Sequence, residues 1–380
     1  MKRVLSVCVA ALVLAPGANA AWGTLQQAET AAAHARLATD ETQPDRPTFS
    51  VELTDPLVRP RGRPRKDVDE LYWQRFVVSG EAHDLDSGTT IPVTFTLGAD
   101  GTVADFRGPS ADPTQPVFPI RGAFFYPWFP ENWTQFGTVY HPALGFYDSG
   151  DRGVAARELD ALRYGNFAVG IYSWWGRGSG TAARLAMHLD VARQTPFRWA
   201  IYYEPEGYAT PTPEQIRDDL HGLANDFAKP AYLRIGGRPV VFVFEQATDV
   251  CDTAARWSQA NDLGAYVVID AAVNPSAVPL CRTQPDSWHL YAFSPEGNVQ
   301  LPGYNSTIAP GFVKVGDRVL LPRDLDRWRR NVSDMIASRE PWQLVISFSE
   351  WGEGTAVEPA LEWSSPSGYG SYLDVLHELR

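Results

Sequence analysis

The chain has 380 residues, 44% of them hydrophobic and 12% aromatic, enough for one large barrel core with an appendage. Its net charge is −12, and its one basic run, Arg59 to Lys66, sits in a Pro-rich stretch. Phosphate recognition needs clustered cations, so no nucleic-acid partner is expected.

The first twenty residues carry the three parts of an export signal: basic Lys2 and Arg3, an apolar run from Val4 to Ala15, and small residues at Ala18-Asn19-Ala20. The apolar run is shorter than the roughly 20 residues that span a bilayer, so residues 1–20 read as a removable signal, with no membrane association afterwards. The expected location is secreted or periplasmic. Removal of the signal takes Cys8 with it and leaves Cys251 and Cys281, an even pair expected to form a disulfide outside the cytoplasm. Asn132, Asn305 and Asn331 each open an N-x-S/T sequon, a signal whose meaning depends on the organism.

Residues 21–66 are polar and rich in Ala, Thr, Pro and Arg without an apolar period, and read as a flexible lead-in. Residues 67–119 read as a small β-rich segment and linker. Ile91 to Leu97 alternates with period two, Ala99-Asp100-Gly101 makes a turn, and Thr102 to Phe106 returns. From residue 120 to 380, short aromatic-rich runs alternate with amphipathic windows, the mark of βα units around a parallel sheet.

Eight strands are expected: Ala123 to Pro127, Phe167 to Ser173, Arg198 to Tyr203, Pro239 to Phe244, Ala265 to Asp270, Ser287 to Phe293, Ser306 to Phe312 and Gln343 to Phe348. Gly153 to Arg163, Thr181 to Gln194, Pro213 to Phe227 and Asp324 to Ser338 read as helices between them. Eight repeats predict an α/β fold closed into a (β/α)₈ TIM-like barrel. No GxGxxG or Walker pattern follows the first strand, and His141 and His289 have no spaced partner, so neither cofactor nor metal is expected.

A barrel of this kind works at the C-terminal ends of its strands. Those ends bear Tyr126 and Trp128, Trp174 and Trp175, Tyr203 and Glu204, Glu245, Tyr291, and then Glu350-Trp351-Gly352-Glu353. Aromatic faces with carboxylates suit sugars, which present apolar C–H faces ringed by hydroxyls. Glu350 and Glu353, three residues apart in a Gly-rich loop, form the pair of carboxyls that glycosidic cleavage requires. If the second strand persists, Trp174 and Trp175 point to opposite sides and at most one faces sugar. Glu245 is read as a strand-end acid, and Asp151 as the N-cap of the helix that follows it.

Four segments in order, Ala123-Phe124-Phe125-Tyr126-Pro127-Trp128, Leu144 to Asp151, Ser173-Trp174-Trp175-Gly176 and Ser349 to Thr355, resemble glycoside hydrolase family 99, the endo-acting α-mannosidases and α-mannanases. The likeness covers Gly122 to Arg380. It implies a metal-independent, retaining endo-hydrolase of α-mannosidic linkages acting on an oligosaccharide or polysaccharide. By that resemblance Glu350 takes the proton of the sugar 2-hydroxyl, giving a 1,2-anhydro sugar. Glu353 protonates the departing oxygen and later activates water. Glu204 matches a position lining the sugar site, with an ion pair to an Arg as the competing account. Tyr291 is placed near the catalytic acid, or is a buried aromatic satisfied by backbone. The chain departs from the family at Gly352, where members usually carry His, and at Ser349, where they usually carry Asn. Those departures leave open another α-linked polysaccharide as substrate, or a carbohydrate-binding protein without turnover.

Overall fold

The structure is a computed structural model that describes residues 115–246 and 249–379 throughout; before them it describes six strands, a hairpin and a few single positions. The chain divides into two compact units, residues 1–112 and 113–380.

In the first unit a sheet runs in chain order through Val7–Val9, Arg36–Thr39, Ser50–Arg61, Arg75–Asp84, Thr90–Gly98 and Val103–Arg107, every pair antiparallel. Phe76 lies opposite Leu97, and Val58 opposite the buried Val78, so one face collects the apolar residues of the alternating pattern. Ser50–Arg61 lies inside the stretch expected as an unstructured lead-in and corrects that expectation. Its alternation is hard to see because the register shifts between Thr54 and Leu57, around Pro56, where a bulge absorbs the extra residue. Of the expected export signal only Val7–Val9 is described, as a strand paired with Arg36–Thr39; its cleavage pattern lies outside the described residues.

The second unit is a nearly closed parallel barrel. Its strands are β1 (Ile120–Phe125), β2 (Val169–Trp174), β3 (Arg198–Tyr203), β4 (Arg238–Val243), β5 (Tyr266–Asp270), β6 (Ser287–His289), β7 (Asn305–Ile308) and β8 (Trp342–Val345). The ladder runs from β6 down to β1 and on through β8 to β7. At the β6–β7 seam the Thr307 hydroxyl donates to the Leu290 carbonyl at 2.9 Å. The outer edge of β7 carries an antiparallel strand, Asn298–Leu301. β6 and β7 are shorter than the sequence suggests, because the apolar residues after each belong to loops folded over the barrel mouth.

Helices α1 (Arg152–Tyr164), α2 (Gly180–Ala192), α3 (Pro213–Gly222), α4 (Val250–Ala260), α5 (Leu325–Ser338) and α6 (Ser371–Glu378) follow in chain order. Asp151, Ser179, Thr212, Asp249 and Asp324 cap the first five through their side chains, accepting N–H groups with no partner in the first turn. The expected helix from Pro213 to Phe227 breaks at Leu223 and resumes as Ala224–Phe227. Cys251 in α4 is bonded to Cys281, 30 residues on. Asn132, Asn305 and Asn331 are all buried, so none of the three sequons offers its side chain to a glycan.

Parity along each strand decides what reaches the site, since successive side chains face opposite sides. Phe124, Ile171, Ala200, Tyr202, Phe242, Val268 and Leu344 pack inside the barrel. Phe125, Tyr172, Trp199, Ile201, Tyr203, Val241, Ile269 and Val345 pack between barrel and helices. Continuing the inward set by one step past the strands gives Tyr126, Ser173, Glu204, Phe244, Asp270 and Tyr291.

Candidate active site

The C-terminal mouth of the barrel opens into a cavity of about 560 Å³. Trp128, Phe136, Trp175 and Tyr208 give it aromatic walls, and Glu350, Gly352 and Glu353 line it from the loop after β8. Trp175 stacks on Tyr208 with ring centroids 4.8 Å apart, and Trp128 lies 5.8 Å from Trp175. The Trp175 indole N–H donates to Ser173 Oγ at 2.8 Å, which fixes the ring's orientation.

The two acids stand in different surroundings. Glu350 is buried, and its backbone N–H donates to Ser347 Oγ at 2.8 Å. Its Oε1 accepts the Glu353 N–H at 3.2 Å, so the loop turns back on the carboxyl. Burial pushes the Glu350 carboxyl well above the usual carboxylate range and the Glu353 charge pushes it further, with the N–H groups of residues 352 and 353 opposing. Glu353 is part-exposed and forms an ion pair with Lys314 Nζ at 3.0 Å. Its carbonyl accepts the Val313 N–H at 2.9 Å, so the segment after β7 is tied to the loop twice.

Gly354 permits this approach. It sits at φ +62°, and a Cβ there would come 2.7 Å from the Val313 carbonyl oxygen. At Gly352 a Cβ would meet Glu350 Oε1 at 3.0 Å and Phe136 Cβ at 3.2 Å. Phe136 and Glu350 thus crowd the position where the resembled family carries a larger side chain.

Under the cavity, Glu204 accepts the Ser173 hydroxyl at 2.7 Å and makes no ion pair with an Arg among the described residues. Burial raises its carboxyl to about 8, against the Ser173 hydrogen bond, with the charges of Glu353 and Asp270 adding to the rise. Asp270, at the end of β5, is likewise raised by burial to about 7, although the N–H groups of Tyr291 and Ala272 donate to it. The Tyr126 hydroxyl donates to the Tyr291 hydroxyl at 2.7 Å, and Ser349 Oγ accepts the Tyr126 N–H at 3.0 Å. Burial raises both phenols, with the Glu353 and Glu350 charges next in effect on Tyr291, so both keep their protons.

Four residues expected to contact substrate lie elsewhere, three of them for the parity reason above. Trp174 is buried outside the barrel and stacks on Tyr203 at 5.4 Å. Tyr203 is fully buried and donates its hydroxyl to Asp219 Oδ2 at 2.8 Å. Glu245 points to the helix layer, where the Thr253 hydroxyl of α4 donates to it. Trp351 is fully buried, stacks on Trp363 and donates its indole N–H to Glu358 Oε2 at 2.9 Å. It anchors the loop and does not face the cavity.

Ser173 and Asp270 escaped the sequence reading of the site although strand parity places both inward. Phe136 and Tyr208 come from the ends of two short helices, Glu131–Gln135 and Pro205–Tyr208, and Lys314 from a loop, none of which a local pattern aims at the cavity. Arg184 of α2 also lines the cavity and is paired with Glu131 at 2.8 Å. Among the described residues no cluster of His, Cys, Asp and Glu has the makings of a metal site, and no helix is long and apolar enough to cross a membrane.

Neither a protein-family model nor a curated protein matches this sequence. Among solved structures, the GH99 endo-α-mannosidase of Bacteroides thetaiotaomicron in complex with bis-tris propane superposes with a TM-score of 0.54 at 17% identity, over 70% of this chain and 96% of that one. A second structure of the GH99 endo-α-mannosidase from that organism gives 0.54 at 16% identity, over 70% and 97%. The barrel has the fold of glycoside hydrolase family 99. At that identity the likeness carries the fold, and the chemistry rests on the cavity itself.

Proposed function

We propose that the chain is a secreted, retaining, endo-acting glycoside hydrolase that cleaves α-mannosidic linkages. The observation that carries this reading is that both acids of the loop after β8 open onto one aromatic-walled cavity. Trp128 and Trp175 offer faces to the C–H surfaces of a pyranose, and the acids stand where its anomeric carbon and 2-hydroxyl come to lie. Secretion is supported by the signal-like first twenty residues and by the Cys251–Cys281 bond, which persists in oxidising compartments.

In the first half-reaction ionised Glu350 removes the proton of the 2-hydroxyl, and that oxygen bonds to the anomeric carbon. The glycosidic C–O bond breaks, and Glu353 gives its proton to the departing oxygen. The 1,2-anhydro sugar is then opened at the anomeric carbon by water, whose proton goes to Glu353 while Glu350 returns its proton to O2. Two inversions give net retention, and both acids end as they began.

In the empty site burial favours the protonated form of Glu350, whereas this route starts with Glu350 ionised. Lys314 Nζ stands 3.0 Å from the Glu353 carboxyl. Filling the cavity therefore has to draw the proton off Glu350 before turnover. The test is Glu353→Gln assayed on a panel of α-linked glycans with product stereochemistry read by NMR. Loss of cleavage with binding retained, and an α-product from the unaltered protein, are expected. Full turnover by the Gln variant rules the assignment out.

A further inference from the structure

Behind the cavity wall lie two carboxyls that no step above uses. Glu158 of α1 is 2% exposed and Glu358 is 1% exposed, and the charge of one acts on the other. Both lie beside the Tyr147 hydroxyl. Its single O–H is donated to Glu358 Oε2 at 2.7 Å. The Trp351 indole N–H donates to that same Oε2 at 2.9 Å and reaches the Tyr147 oxygen at 3.2 Å. Two donors thus converge on one oxygen. Glu358 Oε1 and both oxygens of Glu158 have no partner among the described residues.

Buried carboxylate oxygens without donors are costly, and the cation acting on Glu158 is Arg157, whose own side chain is exposed. A proton carried by the carboxyls themselves would supply a donor that none of the described residues gives. We propose that Glu158 and Glu358 form a proton-sharing pair that anchors Trp351 and so holds Glu350 and Glu353 at their working spacing. The two are positioning residues, since neither lines the cavity.

The anchor is built to transmit such an effect. The Glu358 N–H donates to the Phe348 carbonyl at 2.9 Å, and its own carbonyl accepts the Trp363 indole N–H at 3.0 Å. Trp363 stacks on Trp351 at an interplanar angle of 12°. Tyr147, Tyr172, Trp351 and Trp363 are the described groups that face the pair, with Arg157 acting from its exposed position, and none of them neutralises a second negative charge inside it. Raising the pH ionises it and loosens the loop. Burial holds Glu358 up at about 8, and pushes Glu158 well above the carboxylate range too.

The consequence for turnover rests on the proposed function, so the first readout needs no substrate. In the intact protein, nitrogen-15 NMR of the indole N–H groups, with Trp351 assigned through Trp351→Phe, is followed from pH 5 to 10. The Trp351 resonance is expected to titrate with a midpoint near that of Glu358. Glu358→Gln abolishes the titration, and Glu158→Gln moves its midpoint by about one pH unit or more, as for strongly coupled acids. A Trp351 resonance that ignores pH, or one that titrates unchanged in Glu158→Gln, overturns the pair. Should Glu358→Gln fail to fold, Glu158→Gln decides alone, because it keeps the side-chain shape and its amide N–H still offers a donor. With a cleaved glycan in hand, the basic limb of kcat/KM should follow the indole midpoint and shift with it in Glu158→Gln. A limb that stays put while the indole moves removes the positioning role. Absence of cleavage with an intact indole titration sinks the hydrolase reading and leaves the pair standing.

Discussion

Glu204→Gln isolates what it costs the fold to hold an acid under the cavity. Burial raises the Glu204 carboxyl from its ordinary 4.5 to about 8. Between those values the folded state binds a proton that the unfolded chain releases, so stability falls as pH rises through this window. At about 1.4 kcal/mol per pH unit, the loss is about 3 kcal/mol at pH 7 and about 4 to 5 kcal/mol above pH 9. Gln cannot ionise, and its amide oxygen still accepts the Ser173 hydroxyl that Glu204 takes at 2.7 Å. The variant should therefore match the parent near pH 4 and exceed its stability by about 3 kcal/mol at pH 7. Urea unfolding of both proteins at pH 4, 7 and 9 measures the difference. If the two stability curves run parallel across that range, Glu204 is not held neutral by the fold and the electrostatics of the site have been misjudged.

Two further substitutions test strand parity. Trp175→Ala should raise KM about tenfold on a cleaved glycan with little change in Tm, because a stacking face in the cavity is lost. Trp174→Ala should instead cost about 3 to 5 kcal/mol in urea unfolding, as the removal of a fully packed indole does; the opposite assignment of the two effects would reverse which face of β2 meets the ligand. Replacing Cys251 and Cys281 together by Ser should destabilise the barrel by about 3 to 4 kcal/mol, the loop-closure value for their separation, and a loss under 1 kcal/mol by the same measurement would show that the bond constrains little.

The barrel was legible in the sequence because parallel strands covered on both faces read as short apolar runs, and β1, β2 and β3 are buried along their whole lengths. The pair Glu350 and Glu353 was legible because a strand end, two glycines and two acids coincide. The error lay in treating strand ends as points. Tyr203 and Glu204 are neighbours in sequence, yet the inward positions Ala200 and Tyr202 assign the inner face to Glu204 alone. The same count sends Glu245 outward to Thr253 and brings in Asp270, so those readings were recoverable by parity. Trp351 was not, because it follows a strand that has already ended and its burial depends on Glu358, Tyr147 and Trp363, three residues distant in chain or loop.

The carboxyls around the mouth share a physical logic that bears on where a substrate proton can go. Glu204, Asp270 and Glu350 are each raised mainly by burial, and each is raised further by a neighbouring acid. Like charges this close cannot all develop in a low-dielectric wall, so burial favours the protonated forms of these three. Glu353, the fourth acid at the mouth, is the only one of the four ion-paired to a lysine among the described residues. The proposed route starts from an ionised Glu350, so a ligand that supports it has to lower the cost that burial sets on that charge.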